Sequence, residues 1–114
     1  MARSSIPDPL KRRHLVQREL APAQALRTAE AYLAQGRDLE SLDFLVKAGE
    51  GEKLAELRRR ALESGDFFLL RAVANATGEP PDRDEWLALA QAAEAAGKER
   101  YAADARRQAE RGEE

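Results

Sequence analysis

Five glycines punctuate the chain at nearly regular intervals, and each follows a stretch with helical hydrophobic spacing. Gly36 and Gly65 lie 29 residues apart, as do Gly49 and Gly78, and Gly97 follows Gly65 by 32 residues. Glycine readily adopts the left-handed conformation that ends helices, so each of these glycines predicts a helix end. A period of roughly 20 to 50 residues with a helix pair per unit is typical of helical repeat proteins. The spacing therefore favours three antiparallel helical hairpins stacked as a short solenoid over the alternative, a compact bundle whose helices happen to end on glycine.

The pattern around these glycines predicts an all-α chain with one leading helix before the hairpins. The leading helix is expected at about 9–18, with Asp8 as N-cap and Pro9 at the first helical position. No segment alternates apolar and polar residues with period two, so no sheet is expected. The hairpins are predicted at about 22–49, 51–78 and 83–110. Later helices are expected to be capped by Asp38, Asp66 and Asp84.

Apolar residues at helical spacing predict which side chains pack. Phe67 and Phe68 are adjacent in a helix, so one should pack between hairpins while the other lies near the surface. Trp86 begins the apolar face of the sixth helix and is expected at a contact between hairpins. The third helix is predicted to bury a stripe formed by Leu39, Leu42, Leu45 and Val46.

Composition restricts the class of protein. Hydrophobic residues make up 43% of the 114 residues, with many alanines, and alanine strongly favours helix. The 35% of charged residues and the net charge of −2 argue against general binding to nucleic acid or anionic membranes. No cysteine is present, and neither a secretory signal nor a membrane span is visible, so a cytoplasmic location is expected. We expect a flexible arm at 1–7, one helical repeat domain at 8–111 and a frayed tail at 112–114.

The first hairpin resembles a tetratricopeptide (TPR) repeat, whose pattern begins W-x2-L-G-x2-Y. The matching positions are Ala29, Tyr32, the turn residue Gly36, Ser41 and Ala48. At the positions of the pattern's tryptophan and leucine, this hairpin has Ala25 and Thr28, so it lacks the start of the pattern.

The third hairpin supplies that start, with Trp86 and Leu89 followed by Gly97 at the turn. Alanines replace the pattern's glycine and tyrosine there, and the middle hairpin matches only weakly. The period of 29 to 32 residues is shorter than the roughly 34 of the family. The resemblance covers about residues 22–110 and implies a right-handed α-α solenoid.

The resemblance also implies a function: TPR domains commonly hold a peptide or a partner helix in the concave groove lined by the first helix of each unit. The side chains carried over to that face include Leu26, Arg27, Glu30, Leu33, Glu56, Arg59, Leu87 and Gln91. They mix leucines and acids with two arginines, so a basic or amphipathic helical segment is the expected protein ligand rather than an acidic C-terminus. Because both ends of the array carry polar helices, we expect a monomer or a weak homo-oligomer.

Catalytic and metal-binding patterns are missing from the sequence. His14 is the single histidine, and without cysteines it has no second ligand of the kind that zinc sites use. Neither a nucleophile-elbow nor a phosphate-loop motif is present. We therefore predict a non-catalytic chain without cofactor or metal.

Two basic clusters supply an alternative prediction from a different functional class. One comprises Lys11, Arg12 and Arg13 on the leading helix, and the other covers 58–60 in the middle hairpin. Cationic side chains can contact phosphates, so the chain could be a nucleic-acid-associated accessory protein. No aromatic residues are interleaved with these clusters to stack on bases, which favours the protein-interaction prediction.

Overall fold

All regular structure in the computed structural model is α-helical, over described residues 6–17 and 20–111. Seven helices occur in these described ranges: α1 Pro9–Gln17, α2 Pro22–Ala34, α3 Asp38–Ala48, α4 Gly51–Ser64, α5 Phe67–Thr77, α6 Arg83–Ala95 and α7 Glu99–Arg111. The predicted all-α class is confirmed for these ranges. The predicted tail at 112–114, positions 1–5 of the predicted arm and the predicted last residue of the leading helix, position 18, lie outside the described residues. None of the helices in the described ranges is long and apolar enough to cross a membrane.

The glycines end helices as the sequence predicts. Gly36, Gly49, Gly65, Gly78 and Gly97 all have positive φ, between 69° and 77°. A left-handed residue turns the chain out of the helix while its amide still bonds to the last turn, and the amide of Gly78 donates to the carbonyl of Ala74 at 2.9 Å. The prediction of these helix ends is therefore confirmed.

Two of the four predicted caps are wrong by one or two residues. Asp8 caps α1 as predicted, and its carboxylate accepts from the amide of Lys11 at 2.8 Å. Asp66 caps α5, and its carboxylate accepts from the amide of Leu69 at 3.0 Å. α6 is capped by Asp82 rather than Asp84, because Asp82 has extended backbone and forms a reciprocal capping box with Glu85. α3 begins at Asp38 itself, after Arg37, and has no side-chain cap.

The chain divides inside α4 into two compact units, Met1–Leu54 and Ala55–Glu114. In the first unit α2 packs against α3, and the ring of Tyr32 stacks on that of Phe44 at a centroid distance of 5.8 Å. Both rings are fully buried. Tyr32 therefore makes an aromatic contact within its own hairpin. The sequence pattern had marked Tyr32 through the TPR resemblance but had not singled out Phe44.

The predicted apolar stripe of α3 is half wrong. Leu42 and Leu45 are buried, whereas Leu39 and Val46 are exposed. The buried face is formed by Ser41, Leu42, Phe44 and Leu45. Rotating the stripe toward Phe44 buries a larger ring in place of two aliphatic side chains, which removes more apolar surface from water per side chain.

In the second unit α6 packs against α7, and α5 also contacts α7. Phe67 is buried among Trp86, at a centroid distance of 5.2 Å, and Tyr101, at 6.4 Å. Phe68 is 55% exposed, so the prediction that one of the two adjacent phenylalanines is internal and the other superficial is confirmed. The buried side chains of this unit include Leu57, Ala61, Leu69, Leu70, Val73, Leu89, Ala90, Ala93, Ala102, Ala105 and Ala109.

Gly65 marks a close approach within the second unit. A Cβ at this position would lie 2.5 Å from the Cα and 2.5 Å from the backbone nitrogen of Ala93. Real Cβ atoms do not approach backbone so closely, so the turn between α4 and α5 touches α6 only because position 65 is glycine. The same glycine thus ends a helix and permits a packing contact.

Candidate partner-binding surfaces

The predicted interaction residues of α2 lie on its accessible side. Arg27 and Glu30 are exposed, and Leu26 and Leu33 are half-buried. The opposite stripe of α2 is buried and consists of Ala25, Thr28, Ala29 and Tyr32. Three small residues and one tyrosine therefore carry the packing of α2, while leucine, arginine and glutamate side chains remain accessible.

On α4 the two predicted interaction residues are also accessible. Glu56 and Arg59 are exposed, whereas Leu57 and Ala61, on the opposite face of the helix, are buried. The guanidinium of Arg59 lies 3.9 Å from the carboxylate of Glu63, an exposed pair one turn apart. Such exposed pairs contribute little to stability, so Arg59 can exchange this partner for a ligand at small cost.

On α6 the structure brings Leu87 and Gln91 together in an open depression of 410 Å³. They lie four residues apart on one helix face, and Leu87 is 37% exposed. The other residues that line this depression are Asp84, Ala88, Ala90 and Arg106. Arg106 comes from α7, where it pairs with Glu94 of α6, and the sequence prediction did not include it. Its position could not be read from sequence because it depends on how α7 packs on α6.

The eight predicted interaction residues are therefore all exposed or half-buried. Leu26, Arg27, Glu30 and Leu33 belong to the first unit, and the α4 and α6 residues belong to the second. A single groove that combines all eight stays a prediction.

The basic cluster on α1 is partly engaged in internal contacts. A terminal nitrogen of Arg12 donates to the carbonyl of Glu40 at 3.0 Å and lies 3.7 Å from the carboxylate of Asp43. Its guanidinium also lies 5.5 Å from the ring centroid of Tyr32 and 5.6 Å from that of Phe44. The side chain thus joins α1 to the α2–α3 pair. Its neighbours Lys11, Arg13 and His14 are exposed.

The second basic cluster also contains a structural arginine. Arg58 Nε donates to Glu85 Oε2 at 2.7 Å, and Arg58 Nη2 donates to Glu85 Oε1 at 2.9 Å. A third nitrogen of Arg58 donates to the carbonyl of Glu79 at 3.0 Å. The hydrogen bonds from Arg58 hold the pKa of Glu85 below its usual value, and they raise the pKa of Arg58. The partner of Arg58 lies 27 residues away in sequence, so the composition of α4 alone does not indicate this pair.

A second open depression, which sequence reasoning missed, lies at the C-terminal end of α5. It has a volume of 310 Å³ and is lined by Arg71, Ala74, Asn75, Gly78, Pro80, Pro81 and Trp86. From the sequence, Trp86 was expected only at a packing contact between hairpins. The available signal was the spacing of Phe68, Arg71 and Asn75, which places them on one face of α5.

No group of three histidine, cysteine, aspartate or glutamate side chains that could hold a metal ion occurs in the described part of the chain. No protein-family model, curated protein or solved structure matches this chain. The accessible faces of α2, α4 and α6 and the depressions of the second unit are thus the candidate functional surfaces.

Proposed function

We propose that the chain is a non-catalytic protein-interaction module that binds a peptide or helix of a partner protein. The observation that carries the proposal is the depression on α6 where Leu87 and Gln91, two of the predicted interaction residues, line one concave surface. An exposed leucine beside polar side chains suits an amphipathic ligand, because the leucine excludes water while the polar groups set the orientation.

The ligand is a basic or amphipathic helical segment. Glu30, Glu56 and Asp84 are exposed on the faces that carry the predicted interaction residues. Carboxylates beside half-buried or exposed leucines complement a partner helix with lysine or arginine next to apolar residues. We further propose that the hairpins stack as the TPR resemblance implies, with α2, α4 and α6 as the inner helices.

The proposal is tested by affinity capture with the full chain, followed by binding measurements with the main captured protein. Leu87→Asp replaces the apolar side chain of the depression with a charge, and a double variant, Glu30→Gln with Glu56→Gln, removes two of the carboxylates that complement a basic segment. We expect both variants to lose most binding. Leu39→Asp is the matched control, because Leu39 is an exposed leucine on α3, outside the predicted face.

Undiminished binding by both Leu87→Asp and the double variant would contradict the proposed surface. The alternative function is tested separately with generic double-stranded DNA and RNA. Retention at low salt that is lost as salt rises would favour nucleic acid. We expect no retention, since Arg12 and Arg58 are held by internal partners.

A further inference from the structure

We infer that α5 carries a second binding site, for a partner segment in which an acidic residue is flanked by apolar residues. The site comprises Phe68, Arg71 and Asn75 on α5, together with Tyr101 on one side and the depression lined by Pro80, Pro81 and Trp86 on the other. It uses none of the eight residues of the proposed interaction face.

The cation of this site lies near an aromatic ring and has no acidic partner among residues 6–17 and 20–111. Arg71 is exposed, and its guanidinium lies 5.7 Å from the ring centroid of the buried Phe67. Within the described residues its only polar or ring contact is this one, and no carboxylate pairs with it. Three other exposed arginines, Arg37, Arg106 and Arg107, pair with carboxylates. A cation–π contact of this kind uses none of the hydrogen-bond donors of the guanidinium, which leaves them for a ligand.

Asn75 adds a neutral donor one turn beyond Arg71. Asn75 is exposed, and the amide group of its side chain makes no hydrogen bond within the described residues. A forked guanidinium beside an amide group matches the two oxygens of a carboxylate, and charge-assisted bonds of this kind are stronger than neutral ones. The ligand group that fits this pair of side chains is therefore a carboxylate, which is negative and planar and has two acceptor oxygens.

Apolar surface lies on both sides of the cation. Toward the start of α5, the exposed ring of Phe68 meets Tyr101 edge to face at 5.5 Å. Beyond the helix end, Pro80, Pro81 and the edge of Trp86 line the depression. Phe68 and Asn75 are seven residues apart on α5, a rise of roughly 10 Å.

This arrangement distinguishes an internal acidic residue from a chain terminus. A ligand that ended in a carboxylate at Arg71 would cover the apolar surface on one side only. A segment with apolar residues before and after an aspartate or glutamate covers both. The occupant is therefore an internal acidic side chain of a partner protein.

The test uses Trp86, the single tryptophan of the chain, as the fluorescent reporter within the site. The full chain is titrated with the capped peptide acetyl-SALELAS-amide, and backbone amides at 68–75 are followed by NMR. The comparison peptides are acetyl-SALQLAS-amide, without the charge, and acetyl-SALQLAS with a free C-terminal carboxylate. We expect saturable binding of the glutamate peptide and roughly tenfold weaker binding of both comparison peptides.

Protein variants provide the second arm of the test. Arg71→Met keeps the aliphatic stem and removes the charge, so it should weaken binding of the glutamate peptide by roughly tenfold. Arg71→Lys keeps the charge without the fork and should weaken binding less. Arg111→Met, at an exposed arginine near the end of α7, is the matched control and should bind like the wild type. Circular dichroism verifies that each variant is folded.

Three results would overturn the inference: no saturable response to the glutamate peptide, equal binding of the glutamine peptide, or unchanged binding by Arg71→Met. Equal or tighter binding of the free-carboxylate peptide would overturn the assignment to an internal acidic residue. The proposed function on α2, α4 and α6 is read out with different variants, so the two can fail independently.

Discussion

Arg58 and Glu85 form a two-bonded ion pair that connects α4 to the first turn of α6. The same carboxylate of Glu85 accepts a hydrogen bond from the amide of Asp82 at 3.2 Å, which completes the capping box of α6. Both side chains are largely shielded, with 16% and 24% exposure. Glu85 thus stabilises the start of α6 and also joins α6 to α4 through Arg58, a residue 27 positions earlier in the sequence.

Removing the cation should destabilise the second unit. We expect Arg58→Met to lower the free energy of unfolding by about 1–2 kcal/mol, because Glu85 and the Glu79 carbonyl lose charge-assisted hydrogen bonds. Urea denaturation followed by circular dichroism measures the change. Arg59→Met is the matched control, and loss of its exposed pair should cost under about 0.5 kcal/mol. Equal midpoints for the two variants would show that the Arg58 pair contributes nothing beyond a surface contact.

The lowered pKa of Glu85 predicts acid sensitivity. Its pKa lies below the ordinary value of 4.5, first because Arg58 donates hydrogen bonds to it and also because the amide of Asp82 does so. A group with a lowered pKa in the folded state stabilises the protein fully above its unfolded pKa, and this contribution is lost as the pH falls through the folded value. The stability advantage of wild type over Glu85→Gln should therefore shrink as the pH falls below 4.5. Urea titrations at a series of pH values would contradict this if the two stability curves stayed parallel.

Replacing a left-handed glycine by alanine strains the backbone, and at Gly65 the new methyl group would also clash with a neighbouring helix. Gly97→Ala places a Cβ in open space, so only the backbone strain at φ +77° counts, at about 1 kcal/mol. Gly65→Ala has similar strain at φ +69° and also drives its Cβ into the backbone of Ala93. We expect a loss of about 3 kcal/mol in the free energy of unfolding. Thermal unfolding of both variants tests this, and equal losses would mean that α6 yields to the new methyl group.

Arg12 and Arg13 are adjacent in α1 and should behave differently. Arg12→Ala removes the hydrogen bond to the Glu40 carbonyl and the cation over the rings of Tyr32 and Phe44, and should cost about 1–2 kcal/mol. Arg13→Ala, at an exposed position, should change the free energy of unfolding by less than about 0.5 kcal/mol. Denaturant unfolding of the two variants gives the comparison. A loss for Arg13→Ala as large as that for Arg12→Ala would contradict a structural role specific to Arg12.

Local chemistry explains which features could be predicted from the sequence. The ends of helices at Gly36 and Gly78 follow from the conformational freedom of glycine, and the cap at Asp66 follows from its short carboxylate side chain. The displaced cap at Asp82 also has a local cause, but two aspartates two residues apart offer the same chemistry. Only the reciprocal bond with Glu85 distinguishes them.

Contacts between residues far apart in sequence could not be predicted in this way. Burial of Phe44, rather than Leu39 and Val46, depends on how α3 is rotated against Tyr32. The partners of Arg12 and Arg58 depend on which helix faces which, and the composition of a helix face does not specify that. The depression beside Arg71 forms only when the prolines after α5 and Trp86 of α6 meet.

The sequence by itself determined the all-helical class and the positions where five helices end. It also determined that only one of the adjacent residues Phe67 and Phe68 can be buried. These depend on backbone preferences and on the spacing of apolar residues along one helix, which act over a few residues. Only the tertiary structure decided that position 65 packs against the backbone of Ala93 and that Arg58 pairs with Glu85. It also decided that Arg71 lies near the ring of Phe67 and, among the described residues, has no carboxylate partner. Each of these depends on distances between helices, and the free energy of such a contact exists only once the helices have packed.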